Sequence, residues 1–210
     1  MSADPADKYR WILKSSSTTQ GQVFYVMAKN GALMVLQLVY SSMNSWSHSV
    51  QAGCRIHIPG QPPKTLNVSL GASAMQISPD KLSVTANPIA ITHTAPLTFH
   101  LTYKKDDVDV NVDFACVGSD VCFNGGDEKW HKATREGGFI KAHFIPRASV
   151  SGTIKVGDIT HDAHGVGSAV FAVQNMPQNV ARFDLMIFHG DNDWLFLYQV
   201  KKFDAVQDAN

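Results

Sequence analysis

The chain has no net charge: 18 basic residues balance 18 acidic ones over 210 positions. That balance leaves no electrostatic footprint for nucleic acid or an anionic membrane surface. Charged residues make up only 17%, which argues against long disordered tails, and the 44% of hydrophobic residues is enough for a sizeable core. No run of about 18 apolar residues is present, so no transmembrane helix and no stable membrane insertion are expected. Cysteine is scarce. The three thiols, Cys54, Cys116 and Cys122, do not form a disulfide framework. Cys116 and Cys122 flank Gly118 closely enough for a loop-closing bridge in an oxidising compartment; two reduced thiols is the other reading. With no C-x-x-C pair, a structural zinc site is not expected.

Motifs that would announce a common chemistry are also missing. There is no phosphate-binding G-x-x-x-x-G-K-[ST], no G-x-S-x-G elbow and no H-E-x-x-H. Gly165-Val166-Gly167 is half of a dinucleotide fingerprint inside a strand pattern, with no helix after it. His161 and His164, with Asp162 between them, point to opposite sides of a strand and do not converge without a bulge. No metal and no cofactor are expected. Met1 to Lys14 lacks a charged-then-apolar leader pattern, so the chain reads as cytoplasmic. The secretory route is the other reading if a leader has been removed, and only there would the sequon Asn67-Val68-Ser69 matter.

What the chain does have is alternation. Val108, Val110, Val112 and Phe114 point one way; Asp109, Asn111 and Asp113 point the other. Leu97, Phe99, Leu101 and Tyr103 repeat the pattern. A period of two marks half-buried antiparallel strands. Asn30-Gly31 supplies a strong hairpin signal between Val23–Ala28 and Ala32–Tyr40. About twelve strands are expected. The predicted fold is all-β: a single antiparallel, lipocalin-like barrel with little helix. Residues 1–20 read as a polar arm anchored by Trp11, 21–203 as the barrel domain and 204–210 as a tail. Gly118 to Gly138 reads as the longest loop, and Gln174 to Val180 as the one helical turn. Barrels of this kind often enclose a cavity for one apolar ligand.

Polar residues set among apolar strands are the candidates for a site. Arg147 and Arg182 are isolated cations in apolar surroundings, and a buried guanidinium needs a carboxylate or several carbonyls. Paired with Asp162 or Asp184 they would close one barrel end; alternatively they donate to a ligand carbonyl. His143 stands between Ala142 and Phe144. Gln37, Tyr40 and Trp46 come from one strand and the turn after it, where amphipathic rings can pack and orient a guest. Trp194, Phe196 and Tyr198 alternate with Leu195 and Leu197, which gives one wholly aromatic strand face.

Several segments resemble the fungal survival-factor family. They are Gln22 to Tyr25, Leu36 to Ser42, Phe144-Ile145-Pro146-Arg147 through Gly152-Thr153-Ile154, and His164-Gly165-Val166-Gly167 on to Pro177 and Arg182. The resemblance implies lipocalin-like barrels, usually two in tandem, of which this chain matches the first. It also implies sphingolipid handling and stress survival. Related lipocalin-like proteins of fungal natural-product pathways act as cofactor-free Diels–Alderases. The family's Trp before Pro-Arg is Ile145 here, its Cys after is Ala148, and its histidine falls at Ala142, with His143 beside it. These departures suggest a specialised relative.

The expectation is therefore a pericyclase. It would hold a hydrophobic terpenoid or polyketide intermediate for a Diels–Alder or hetero-Diels–Alder step in natural product biosynthesis. Proximity supplies up to about 7–11 kcal/mol and a hydrogen-bond donor about 2–4 more. Arg147, Arg182 and His143 are the expected catalytic donors. Gln37, Tyr40, Trp46, His164, Trp194, Phe196 and Tyr198 are the expected substrate contacts. The alternative is a carrier of ceramide-like lipid without catalysis. A filled-core interaction domain is the third reading. The oligomeric state, including a homodimer, stays open.

Overall fold

The structure is a computed structural model that describes residues 5–12, 17–42, 47–130, 138–175, 180–190 and 193–202. The described residues contain fifteen strands, two short 3-10 turns and no α-helix, so the chain is all-β, as its alternation predicts. The strands are β1 (Thr18–Ala28), β2 (Leu33–Ser42), β3 (His48–His57), β4 (Lys64–Gly71), β5 (Gln76–Ile77), β6 (Val84–Ala86), β7 (Ile89–Ala95) and β8 (Thr98–Lys105). They continue with β9 (Val108–Cys116), β10 (Val121–Trp130), β11 (Gly138–Val156), β12 (Ile159–Asp162), β13 (Gly165–Asn175), β14 (Val180–His189) and β15 (Trp194–Lys202).

Thirteen strands form one curled antiparallel sheet; eleven follow the order β4-β3-β2-β1-β13-β11-β9-β8-β7-β6-β5, and β10 and β12 pair with β11 off that path. At its centre, β11 runs for 19 residues and carries two neighbours on each edge: β13 then β12 on one, β10 then β9 on the other. β14 and β15 make a separate hairpin. The segment expected to be one long loop after Gly118 holds β10, because pairing with β11 recruits a Gly-rich stretch that local propensity would leave irregular. Gln174 and Asn175 extend β13; residues 176–179 of the expected helical turn lie outside the described residues.

Alternation along β1 is regular: Thr18, Gln20, Gln22, Phe24, Val26 and Ala28 are buried on the concave face, and the residues between them are half-buried on the convex one. The concave face is filled. Phe24, Phe99, Phe114 and Phe171 pack edge-on or tilted, with ring centroids 5.2–5.6 Å apart. Tyr9 adds its ring 4.7 Å from Phe171, and Trp11 is also fully buried. The hollow interior expected from the barrel reading is thus occupied by the protein's own side chains. Alternation reports which residues point inward and is silent on whether they leave room. The N-terminal segment supplies the stopper. Asp7 to Ile12 crosses the mouth of the curl, and the amide of Gln20 straps it to β1, donating to Arg10 O and accepting from Ile12 N, each at 2.8 Å.

The motif Pro146-Arg147 is a β-bulge. Ile145 pairs with Ala169 and Ala148 with Gly167, so two residues of β11 stand opposite Ser168 alone. Proline has no N–H to give the ladder, and the bulge removes the need for one. The half-fingerprint glycines are packing positions. A Cβ at Gly165 would meet Met27 O at 2.1 Å, and one at Gly167 would meet Tyr25 O at 2.7 Å.

Candidate functional site

Two concavities flank the same three strands from opposite sides. The first lies on the convex face, under the β14–β15 hairpin. Its floor exists because small residues line up in register: Gly21 of β1 pairs with Ala172 of β13, which pairs with Ala142 of β11. Bulkier rows border this trough, with Val23, Val170 and Phe144 on one side and Thr19, Gln174 and Ile140 on the other. Tyr198 of the hairpin forms part of the wall, and the crevice encloses about 250 Å³ with an almost wholly apolar lining. Among the lining residues, Gln174 carries a buried side-chain carbonyl, Oε1, that has no hydrogen-bond donor.

The hairpin is held over this trough by packing and by polar clamps. Phe196 and Tyr198 lie against Phe144, with centroids 4.8 and 4.9 Å away. Burial, with Tyr25 beside it, raises the pKa of the Tyr198 phenol, so it stays protonated. Arg147, turned outward by the bulge, donates through Nη1 to Gly190 O and Asp193 O at 3.3 and 3.4 Å, where the hairpin turns. Ser168 donates to Pro146 O at 2.7 Å and sits 2.9 Å from His189 Nε2.

The second concavity opens on the inner side, between the N-terminal segment and strands β1, β11 and β13. It encloses about 320 Å³ and mixes Tyr9, Ile12, Phe171 and Val173 with Lys8, Arg10, Lys141 and His143. Lys8 is paired with Asp120, which also accepts from the Tyr9 hydroxyl, and Arg10 is paired with Asp7. At its edge, His143 Nδ1 stands 3.1 Å from Cys122 Sγ.

Among the described residues, the expected site residues do not converge. His143 borders the inner concavity, whereas Arg147 grips the hairpin turn on the other side. Arg182 lies in β14, and its side chain is outside the described residues, as is Trp46 altogether. Gln37 points out from the convex face, over Gly53. Tyr40 points inward and meets His48 Nδ1 at 2.8 Å. His164 is exposed in the turn before β13. Trp194 is 47% exposed, while Phe196 and Tyr198 pack on the outside of the sheet. The aromatic strand face was legible; its partner is the convex surface. The residues that sequence reasoning missed are Gly21, Ala142, Ala172, Gln22 and Gln174. The available signal was small residues in strands otherwise made of bulky ones.

Comparison with known proteins decides the family. The model of the Svf1 family matches residues 3–197. The chain belongs to the Svf1 family. Among curated relatives, the ceramide-binding protein svf1 of Schizosaccharomyces pombe is 27% identical over 207 residues, covering 96% of this chain and 52% of that protein. The ceramide-binding protein svf1 of Aspergillus fumigatus is 25% identical over 214 residues, covering 95% and 50%. The chain thus spans about half the length of these relatives. Among solved structures, an AttH protein from Nitrosomonas europaea superposes with a TM-score of 0.67 at 10% identity, over 92% of this chain and 63% of that one. Kievitone hydratase from Nectria haematococca gives 0.56 at 13%, over 88% and 61%. At such identities these two establish the lipocalin-like fold alone.

These findings correct the functional expectation. The curated Svf1 relatives are named for binding ceramide, which overturns the Diels–Alderase reading, its natural-product setting and the assignment of an enzyme. The physical reason is the absence of convergence. Of the expected donors whose side chains are described, His143 and Arg147 lie on opposite sides of the sheet and do not face one apolar chamber, and the concave face is packed with aromatic rings. A hydrophobic lipid ligand is what the relatives support; a homodimer finds no support in them. Among the described residues, no helix is long and apolar enough to cross a membrane.

Proposed function

We propose that this chain binds a long-chain lipid of the ceramide class without transforming it, and that the acyl chain lies in the convex-face crevice. The observation that carries this reading is the trough of Gly21, Ala172 and Ala142 beneath the hairpin, with its almost wholly apolar lining. Removing apolar surface from water contributes roughly 25 cal/mol per Å² on each side of such a contact. The orphan Gln174 Oε1 offers an acceptor to a head-group amide N–H or hydroxyl, and leaving a buried acceptor unpaired costs about 1–3 kcal/mol. The 250 Å³ crevice is just below the ~300–1,000 Å³ of ordinary ligand pockets, so it holds a segment of an acyl chain rather than a whole lipid. The naming of the curated relatives supports the same ligand class.

The test is incubation with ceramide-containing vesicles, re-isolation of the protein and native mass spectrometry. A one-to-one ceramide adduct, released chemically unchanged, is expected. Ala172→Phe fills the trough and should abolish the adduct while the variant remains folded. Equal ceramide loading of Ala172→Phe would exclude the crevice, and consumption of the lipid would exclude a pure binder.

A further inference from the structure

The three thiols of this chain live in different surroundings. Cys54 is buried on the concave face, and burial pushes its thiol up to about 12. Cys116 is half-buried, and burial, with the Asp120 carboxylate second, also pushes its thiol up. Both are thereby poor nucleophiles, because only the thiolate attacks. Cys122 is exposed. It stands opposite His143 in the β10–β11 ladder, with Sγ 3.1 Å from Nδ1. The Tyr9 ring lies edge-on to the imidazole, 6.2 Å between centroids. A thiol and an imidazole within hydrogen-bond reach are the two parts of an activated nucleophile.

The pair has a binding space beside it. His143 lines the 320 Å³ inner concavity, whose walls combine Ile12, Phe171 and Val173 with the cation Lys141. Gln22, 1% exposed, belongs to the same wall, and its carbonyl Oε1 has no donor. Its amide is held by a single long bond, 3.4 Å from Nε2 to Tyr9 O, so it can turn toward a guest. An orphaned buried acceptor in a concavity that is part apolar and part polar suits an amphiphile carrying a hydroxyl or N–H and a carbonyl.

We propose that Cys122 and His143 form a covalent capture site for amphiphilic α,β-unsaturated carbonyl compounds that dock in the inner concavity. The Cys122 proton passes to His143 Nδ1. The thiolate sulfur bonds to the β-carbon, and the alkene π pair moves toward the carbonyl as an enolate. The imidazolium then returns the proton to the α-carbon. The net reaction adds S–H across C=C, with no oxidant, reductant or leaving group. The capture is stoichiometric, and it is independent of the lipid crevice on the opposite face of the sheet.

The experiment treats the full chain with 3-nonen-2-one and, separately, with but-3-en-2-one, and maps adducts by peptide mass spectrometry over time. Cys122 should react at least about tenfold faster than Cys116, consistent with general-base assistance of 10²-fold or more. Cys54 should remain unmodified in the folded protein. The longer enone should be favoured at Cys122 and not at Cys116. His143→Gln should slow Cys122 about tenfold, with His143→Asn as a second variant should the first fail to fold. Ceramide loading is measured on the same variants and should not change. The proposal is overturned if Cys122 reacts no faster than Cys116, if neither histidine variant slows it, or if chain length has no effect.

Discussion

His189 donates its Nε2 proton to Ser168. The Ser168 hydroxyl has one hydrogen, and it goes to Pro146 O at 2.7 Å, so the 2.9 Å contact with His189 Nε2 requires the imidazole to be the donor. That fixes the neutral Nε2–H tautomer and leaves Nδ1 as a buried acceptor with no partner. The arrangement joins the hairpin to the bulge through three residues.

A pH dependence follows from this tautomer. Protonating Nδ1 would place a buried donor without an acceptor beside the Arg147 guanidinium. Burial first, and Arg147 second, hold the His189 pKa below its ordinary value of 6.5. A folded-state pKa below the unfolded one means that the unfolded chain takes up the proton first as pH falls. The stabilisation is therefore full above pH 6.5 and declines as pH drops from there toward the depressed folded value. Hydrogen exchange of β14 and β15 amides should accelerate below that pH, after correction for intrinsic rates. His189→Phe should remove the effect.

Arg147 should act as a clamp. Arg147→Ala loses two charge-assisted bonds to the hairpin turn, each long at 3.3–3.4 Å. The expected cost is about 1–2 kcal/mol, localised to faster exchange in β14 and β15. Ceramide retention should weaken because the crevice loses its fixed wall. Unchanged hairpin protection would show that the clamp carries no load.

Gly152 should tolerate no side chain. Its φ is +119°, and a Cβ there would sit 2.2 Å from Asn111 O on the neighbouring β9. Backbone strain of about 1–3 kcal/mol combines with overpacking of similar size. Gly152→Ala should therefore lower the melting temperature by roughly 4–24 °C, at 2–4 °C per kcal/mol for a chain of this size, as read by thermal unfolding.

Trp11 tests whether the concave face is closed by its own stopper. Trp11→Ala should destabilise by about 3–5 kcal/mol, and the vacated space should admit a small apolar probe that the parent protein excludes. Xenon or benzene titration followed by NMR would read this directly. Equal uptake by parent and variant would mean that interior room exists without the substitution.

The pattern from Val108 to Phe114 announced β9 because its alternating side chains carry the whole message of a half-buried strand. The aromatic face of Trp194, Phe196 and Tyr198 was equally plain. What it faces was not, because the surface opposite depends on where the hairpin docks, and Phe144 is about fifty residues away in sequence. The filled interior was hidden for a similar reason. Tyr9 and Trp11 sit in a polar stretch that reads as an arm, and only long-range contacts bring them inside. The trough residues Gly21, Ala142 and Ala172 come from three separate strands, and their alignment is a matter of register that no local window contains.

The bulge at Pro146-Arg147 also sets parity along the central strand. Before it, odd-numbered residues such as His143 and Ile145 face inward; after it, even-numbered Ala148, Val150 and Ile154 do. One extra residue keeps the two halves of β11 in phase with a single core. Deleting either member of the pair would turn one half of the strand inside out, carrying Val150 and Ile154 to water or His143 away from Cys122. Gene variants of this protein should therefore tolerate substitutions at these two positions far better than any change in their number.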